Sequence, residues 1–413
     1  MNLTLTGVNF DSAPLVVREK LGTDSSRLPK ALDFLKSSGY SGVILSTCNR
    51  TEVYTTPKDN SLPSQDFFNN YFSSSQYIFR PYLYTLTDEA AVSHLFSVTA
   101  GLESMVLGES EILGQVSRAL KAAEEAGTAN RLLKQLFISA IQAGRRVRQE
   151  TRISEGSISV SALAVDHASK SFPNFTQRHI VIIGAGEAGR TVAKVAHKKG
   201  ATQITLLSHN PDAASVVANE LGISCCSFDR LEEELSSADI VFTCSMAPHW
   251  VITKEQASHI MDRRPERTLL LIDIAVPRNI EPSVDKIQNI LLFNIDDLKE
   301  LADSNRTARE AEISHAKDII KEEEIAFGEW QQTFEATSAI KALTAKAEAY
   351  RRERLDKFLA SSHSLTEEQK SELDMMTRSM IKKILHDPIE KLKESPENYK
   401  EALAELFRLD IEA

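Results

Sequence analysis

The segment SGVILSTCNRTEVY, residues 41–54, runs from an apolar strand pattern into a cysteine flanked by Thr47, Asn49, Arg50 and Glu52. A thiol is a good nucleophile even when only a few per cent of it is ionised, and a nearby cation raises that fraction. Arg50 is such a cation, and its planar fork also suits a carboxylate. Residue type alone leaves Cys48 as either a nucleophile or a buried strand-end thiol. Its polar neighbours fit a core strand poorly and a substrate pocket well, with Cys48 at the rim. A second chemical segment is HIVIIGAGEAGRTVAKVAHKKG, where Gly184, Gly186 and Gly189 stand in G-x-G-x-x-G spacing between a strand pattern and a helix pattern. There the first glycine permits a tight turn, the second lets a pyrophosphate approach the backbone, and the third lets helix and strand pack. Free N–H groups at the helix start then face the phosphates, so Gly184, Ala185, Gly186, Glu187, Ala188 and Gly189 are candidate cofactor contacts. NAD sites place an acid about 20 residues further on. Ser208-His209-Asn210 stand there instead, which favours NADP, with Ser208 and His209 as contacts. A nicotinamide region plus a cysteine in a separate region suggests one chemistry: the thiolate takes an activated acyl group, and hydride reduces the resulting thioester to an aldehyde.

These residues need elements to position them. A chain of 413 residues implies two or three domains. In residues 1–156, LTLTGVNF and GVILST have strand patterns, while LYTLTDEAAVSHLFSVTAG and SEILGQVSRALKAAEEAG read as helices. That mixture is an α+β domain. Residues 157–295 alternate apolar strands (HIVIIGAG, QITLLSHN, DIVFTCS, TLLLIDIAVP) with helices, the pattern of a parallel sheet covered on both faces. Residues 296–413 read as helical. Ile313, Ile320, Phe327 and Phe334 recur every seven residues, giving one apolar seam. Gly328 costs that helix about 1 kcal/mol, and Glu323 on the seam argues against a long coiled coil. A helical dimerisation domain is expected, with an intramolecular bundle as its competitor.

Composition narrows the classes. The four cysteines form no CxxC pair, which fits a reducing cytoplasm better than a disulfide framework and leaves no structural zinc site; no metal is expected. No run of 18 apolar residues occurs, so no membrane helix is expected, and the first residues do not read as a signal peptide. The net charge is −10, but residues 296–413 hold 19 basic and 27 acidic side chains. The excess acid thus lies in the last third and does not exclude a nucleic-acid partner for the first domain. Arg131 to Arg152 holds six basic residues and one acid, either a phosphate-facing patch or a solvated helix face.

STCNRTEVY resembles the active-site segment of the glutamyl-tRNA reductase family. AVSHLFSVTAGLESMVLGESEILGQV, RRVRQETRISEGSISVSALAV, LIDIAVPRNI and ILHDPIEKLK resemble further blocks of it. The resemblance implies an N-terminal catalytic domain, a Rossmann-type NADPH domain and a helical C-terminal dimerisation domain. It also implies reduction of glutamyl-tRNA(Glu) to glutamate-1-semialdehyde, the first step of the five-carbon route to 5-aminolevulinate and tetrapyrroles. Partners implied are the tRNA, a second copy of the chain and the aminomutase that takes the semialdehyde. Carried onto this sequence, Cys48 is the nucleophile, and Thr47, Asn49, Arg50, Ser104, Glu109, Ser110, Glu111 and Gln115 are substrate contacts. Arg50 would hold the side-chain carboxylate, and His94 matches a histidine important for activity. The chain departs from the family at Ser208-His209-Asn210, where Asn-Arg is common, and at Ser110, where Pro is common. Two other readings compete: a shikimate-dehydrogenase-like NADP oxidoreductase without a covalent intermediate, and a non-catalytic helical dimer that binds tRNA or a partner protein.

Overall fold

The computed structural model describes residues 2–23, 27–57, 65–72, 79–109, 111–153, 159–298, 310–362 and 365–409. The chain divides into two compact units, Asn2–Lys321 and Glu322–Ala413.

The first unit is built on two sheets. Strands β1 (Thr4–Asn9), β2 (Tyr40–Ser46), β3 (Arg50–Pro57) and β4 (Tyr84–Thr87) pair antiparallel in the order β2-β3-β1-β4. Around them lie α1 (Leu15–Leu21), α2 (Leu28–Ser37), α3 (Gln65–Phe72), α4 (Asp88–Ala100), α5 (Glu111–Ala126) and α6 (Arg131–Glu150). The Asn130 side chain caps α6 by accepting from the Leu133 N–H at 2.9 Å, which satisfies one otherwise orphaned donor.

Two elements differ from the sequence reading. The helix expected across LYTLTDEAAVSHLFSVTAG begins only at Asp88, and Tyr84–Thr87 is a strand. Its side chains alternate, Tyr84 and Leu86 half-buried and Thr85 and Thr87 exposed, a period of two that suits β-branched and aromatic residues on a pleated surface. The polar residues after Cys48, read as lining a substrate pocket, are interior. They enter β3, which is flanked by strands on both sides, and Asn49, Arg50, Thr51 and Glu52 are all buried.

The second sheet holds β5 (His179–Ile183), β6 (Gln203–Ser208), β7 (Ser224–Ser227), β8 (Ile240–Thr243), β9 (Leu269–Asp273) and β10 (Ile290–Asn294). All are parallel, in the order β10-β9-β8-β5-β6-β7. The order reverses between β5 and β8, and a crevice for ligands opens at the carboxyl ends of the strands there. Helices α7 (Val160–Ser171), α8 (Glu187–Lys198), α9 (Pro211–Leu221), α10 (Leu231–Ser237) and α11 (Lys254–Asp262) cover the sheet. Ile180, Ile182, Leu206, Phe242, Leu270 and Ile272 belong to the core on one face. Val181, Ile183, Leu207, Val241, Leu269 and Leu271 belong to the core on the other. Burial on both faces is why these strands read as unbroken apolar runs, each such side chain contributing about 1.5–3 kcal/mol. The first of these cores also takes in Leu15, Met105 and Val106 and packs against Cys48. The two sheets therefore share one apolar seam, with the thiol at its edge.

One helix, α12, runs Glu310–Ser361 without a break at Gly328. From Glu322 it belongs to the second unit, with α13 (Glu367–Glu394) and α14 (Pro396–Phe407). Phe327, Trp330 and Phe334 stack in succession, with ring centroids 5.7 and 5.2 Å apart, so the seam read from the sequence packs partly on itself. Ala336, Ala339 and Leu392 form a small core. Phe358, Met380 and Ile384 remain exposed and line one apolar face, and Met375, Met376 and Leu406 are exposed as well. Among the described residues no helix is long and apolar enough to cross a membrane.

Candidate active site

The β2–β3 connection presents Cys48. The Thr47 hydroxyl accepts from the N–H groups of Asn49 and Arg50 at 3.1 and 3.2 Å, and the Thr47 N–H donates to the Arg50 carbonyl at 2.8 Å. This tight turn lifts Cys48 off the sheet and leaves it partly exposed. Asn49 is 2% exposed, and both atoms of its amide lack a hydrogen-bond partner among the described residues. Buried amides are seldom left so, and an amide in this position is suited to a polar ligand.

Arg50 and Glu52 project from β3 into a closed network. Arg50 Nη1 donates to Glu52 Oε1 at 2.7 Å, and its Nη2 donates to the Glu103 carbonyl. Glu52 also accepts from Tyr54 at 2.7 Å and Tyr84 at 2.6 Å, and His94 Nε2 lies 2.8 Å from Oε1. Burial alone would raise the Glu52 pKa, but Arg50 and His94 outweigh it and hold the carboxyl well below the usual range. Read from the sequence as lining a substrate pocket, Arg50 is an interior residue held by Glu52, by the Glu103 carbonyl and, at 3.5 Å, by His94 Nε2. His94 and Arg50 are thus brought together through Glu52, which the sequence reading left out of the site along with Tyr54 and Tyr84. The alternation Arg50, Glu52, Tyr54 along one strand is the signal that exposes it.

Ser104 and Glu109 lie on the connection between α4 and α5, both buried. Gly108 there has φ +75, and a Cβ on it would sit 2.2 Å from the Ile153 carbonyl oxygen, so only glycine fits. Arg148 Nη2 holds the Glu109 carbonyl at 2.9 Å and Nη1 the Thr99 carbonyl at 3.0 Å. One cation of the basic stretch is therefore an internal strut, and Lys134 and Arg146 pair with Glu124 and Glu150. Glu111 and Gln115, half-buried, stand one turn apart on α5; Ser110 lies outside the described residues. Burial and the Glu111 carboxylate push Glu109 up to about 7. Burial, then Glu109 and Glu111, push the Cys48 thiol up to about 12, and the opposing cation is Arg18. The main cation acting on the thiol is thus Arg18 rather than Arg50, which the sequence offered as one possible helper. Arg18 was missed because it lies 30 residues upstream, on α1.

The glycine loop meets the requirements of a dinucleotide. Gly184 has φ +115, a Cβ on Gly189 would fall 1.8 Å from the Gly184 carbonyl oxygen, and a Cβ on Gly186 would meet nothing within 4 Å. Gly184 and Gly189 are therefore closed to other residues, and Gly186, the second glycine of the motif, faces open space. Ala185 and Ala188 line the seam that also reaches Cys48, and Glu187, in the first turn of α8, pairs with Arg118 of α5 at 3.0 Å. At the end of β6, Ser208 Oγ accepts from the Asn210 N–H at 3.1 Å, and the Asn210 side chain caps α9. His209 stacks on Phe228 with centroids 3.9 Å apart, and the Ser208 hydroxyl, an acceptor in its bond with the Asn210 N–H, keeps its own O–H to donate.

Comparison with known proteins gives concordant matches. Residues 6–151 match "Glutamyl-tRNAGlu reductase, N-terminal domain", 166–301 match "Shikimate / quinate 5-dehydrogenase", and 315–409 match "Glutamyl-tRNAGlu reductase, dimerisation domain". The glutamyl-tRNA reductase of Moorella thermoacetica is 37% identical, covering 100% of this chain and 96% of the relative. That of Bacillus subtilis is 34% identical over 95% of this chain and 88% of the relative. The solved structure of glutamyl-tRNA reductase from Methanopyrus kandleri aligns over 98% of both chains at 28% identity, with a TM-score of 0.57. The glycine loop and the dehydrogenase match give the second sheet a nicotinamide cofactor. With a thiol-bearing sheet, a dinucleotide sheet and a helical dimerisation domain in one chain, and relatives of this identity along its whole length, the chain is an oxidoreductase belonging to the glutamyl-tRNA reductase family.

Proposed function

We propose that this enzyme reduces glutamyl-tRNA(Glu) to glutamate-1-semialdehyde through a glutamyl thioester on Cys48, and that its cofactor is NADPH. The observation that carries this is the placement of Cys48: a partly exposed thiol on a tight turn, at the edge of the apolar seam between the two sheets. Its sulfur attacks the ester carbonyl carbon, the C–O bond to the tRNA ribose breaks, and the ribose oxygen leaves with a proton. NADPH, when bound, would supply the hydride that takes the thioester to the aldehyde, the C–S bond breaking and Cys48 returning as its thiolate. Gly184, Gly186, Gly189 and the α8 N-terminus would hold its pyrophosphate, and Ser208 and His209 its 2′-phosphate.

The remaining roles follow from charge. Arg50 offers its guanidinium to the substrate's side-chain carboxylate, with Glu52 fixing its plane. Asn49 supplies the amide for the ester oxygen or the ammonium. The α-ammonium goes to Glu109 and Glu111. Its arrival offsets the two carboxylates that, after burial, raise the thiol's pKa, so substrate binding itself favours the thiolate. His94 takes or gives the proton of the ribose oxygen. Ser104 and Gln115 border this pocket, and Ser110 is placed there by resemblance alone. A second copy of the chain covers the apolar face of the helical unit, and the aminomutase that consumes the reactive aldehyde is the downstream partner.

The test is product analysis. Wild-type protein with glutamyl-tRNA and NADPH should yield an amine-trappable aldehyde, NADH should support much slower turnover, and Cys48→Ser none. Aldehyde formation by Cys48→Ser at the wild-type rate would leave the direct-hydride reading in its place.

A further inference from the structure

Arg18 is 3% exposed, yet nothing in the roles above uses it. Its Nε donates to the Ala13 carbonyl at 3.2 Å and its Nη1 to the Cys48 carbonyl at 2.8 Å. Nη2 is ion-paired with the Asp296 carboxylate, which follows β10 at the end of the dinucleotide sheet. The next residue repeats the link with charges exchanged. Glu19 accepts from Arg278 Nε at 2.6 Å, Nη2 at 3.0 Å and the Arg278 N–H at 2.9 Å. Two consecutive residues of α1 thus grip the dinucleotide region, and one of them also grips the peptide of the nucleophile.

We infer that Arg18 is a positioning residue of the reaction: it fixes the Cys48 peptide and presents a cation to the thiol, while Asp296 of the dinucleotide region holds that cation in turn. The inference rests on the reading of Cys48 as the nucleophile and deepens it. Seating of the cofactor-binding region and reactivity of the thiol then depend on one guanidinium. The charged groups acting on the thiol come from three places: Arg18 on α1, Glu109 before α5, and Glu111 at the start of α5. Asp296 acts through Arg18 and offsets part of its charge. Arg18 and Asp296 therefore have opposite signs of effect on Cys48, although they are two halves of one ion pair.

That opposition is the test. Alkylation of Cys48 by iodoacetamide, read as the mass of the peptide that contains it, is followed from pH 7 to 10 in full-length protein without tRNA. Arg18→Gln should slow alkylation at pH 8 about tenfold, the effect of one pKa unit. Arg18→Lys, which keeps the charge, should stay within about threefold of wild type, and Asp296→Asn should be as fast as wild type or up to about threefold faster. If Asp296→Asn slows the thiol as Arg18→Gln does, the pair acts only by packing and the inference fails. Wild-type alkylation in Arg18→Gln also overturns it. Should circular dichroism show Arg18→Gln unfolded, Arg18→Lys and Asp296→Asn decide, since a tenfold loss in either contradicts the account. The alkylation needs no substrate, so its failure is separable from a failure of Cys48 to accept the glutamyl group.

Discussion

Glu52 and Glu109 are the same side chain and both are buried, yet their pKa values move in opposite directions. Glu52, on a central strand, meets Arg50, His94, Tyr54 and Tyr84 and stays ionised far into acid. Glu109, on a connection, meets another acid, Glu111, and is pushed up to about 7. Burial is common to both, so the partners decide. The difference separates two functions of buried charge. Around Arg50 the charges are already compensated, and the site is fixed before any substrate arrives. Around Glu109 the charges of Arg50 and Arg148 compensate only part of the burial and the Glu111 charge, and an incoming cation can supply the rest.

The strongest way to break this picture is to remove the group that both regions serve. Cys48→Ser should lower reductase activity at least about a thousandfold, because a neutral hydroxyl without a dedicated base is a far weaker nucleophile, while the melting temperature changes little. Next comes Glu52→Gln. It leaves Arg50 buried without a counter-charge and should cost about 3–5 kcal/mol of stability, read from denaturant unfolding. The pH dependence has a definite sign. A carboxyl held below its ordinary 4.5 adds stability that is present above that value and lost as pH falls towards the folded pKa, so the variant's deficit should shrink in acid.

Glu109→Gln should do the reverse. Its folded pKa of about 7 lies above the ordinary 4.5, so ionisation costs stability as pH rises through that window. The variant should be more stable at pH 8 by up to about 3 kcal/mol, with no gain below pH 4.5, and should bind substrate less tightly because an ammonium partner is lost. A stability loss at pH 8 would remove the contrast with Glu52. The smallest effect belongs to the cofactor end. His209→Glu should lower the preference for NADPH over NADH about tenfold, roughly 1.4 kcal/mol, read as the ratio of kcat/KM values.

Much of the fold was legible because the dinucleotide sheet is buried on both faces, and its apolar runs and glycine turn are local signals. The helical end was legible for the same reason, through its seven-residue seam. The first sheet was harder. Tyr84–Thr87 is too short to declare itself beside a long helical pattern, and Arg50–Glu52 looks like a surface because its polar atoms find partners on Tyr54, Tyr84 and His94, which are distant or one strand-turn away. Cys48 was visible as a candidate from its polar neighbours. Arg18 and Asp296 were not, since an ion pair spanning 278 residues leaves no trace in local spacing. The long motif blocks around Ser104–Gln115 carried the substrate class, which no single residue type encodes.

The central claim is covalent chemistry at Cys48. Full-length protein is mixed with glutamyl-tRNA in the absence of NADPH, quenched in acid within seconds, and digested, and the mass of the peptide containing Cys48 is measured. The account predicts a glutamyl adduct on that peptide, absent in Cys48→Ser and discharged when NADPH is added before the quench. An unmodified Cys48 peptide, in a preparation that forms aldehyde once NADPH is supplied, would contradict it.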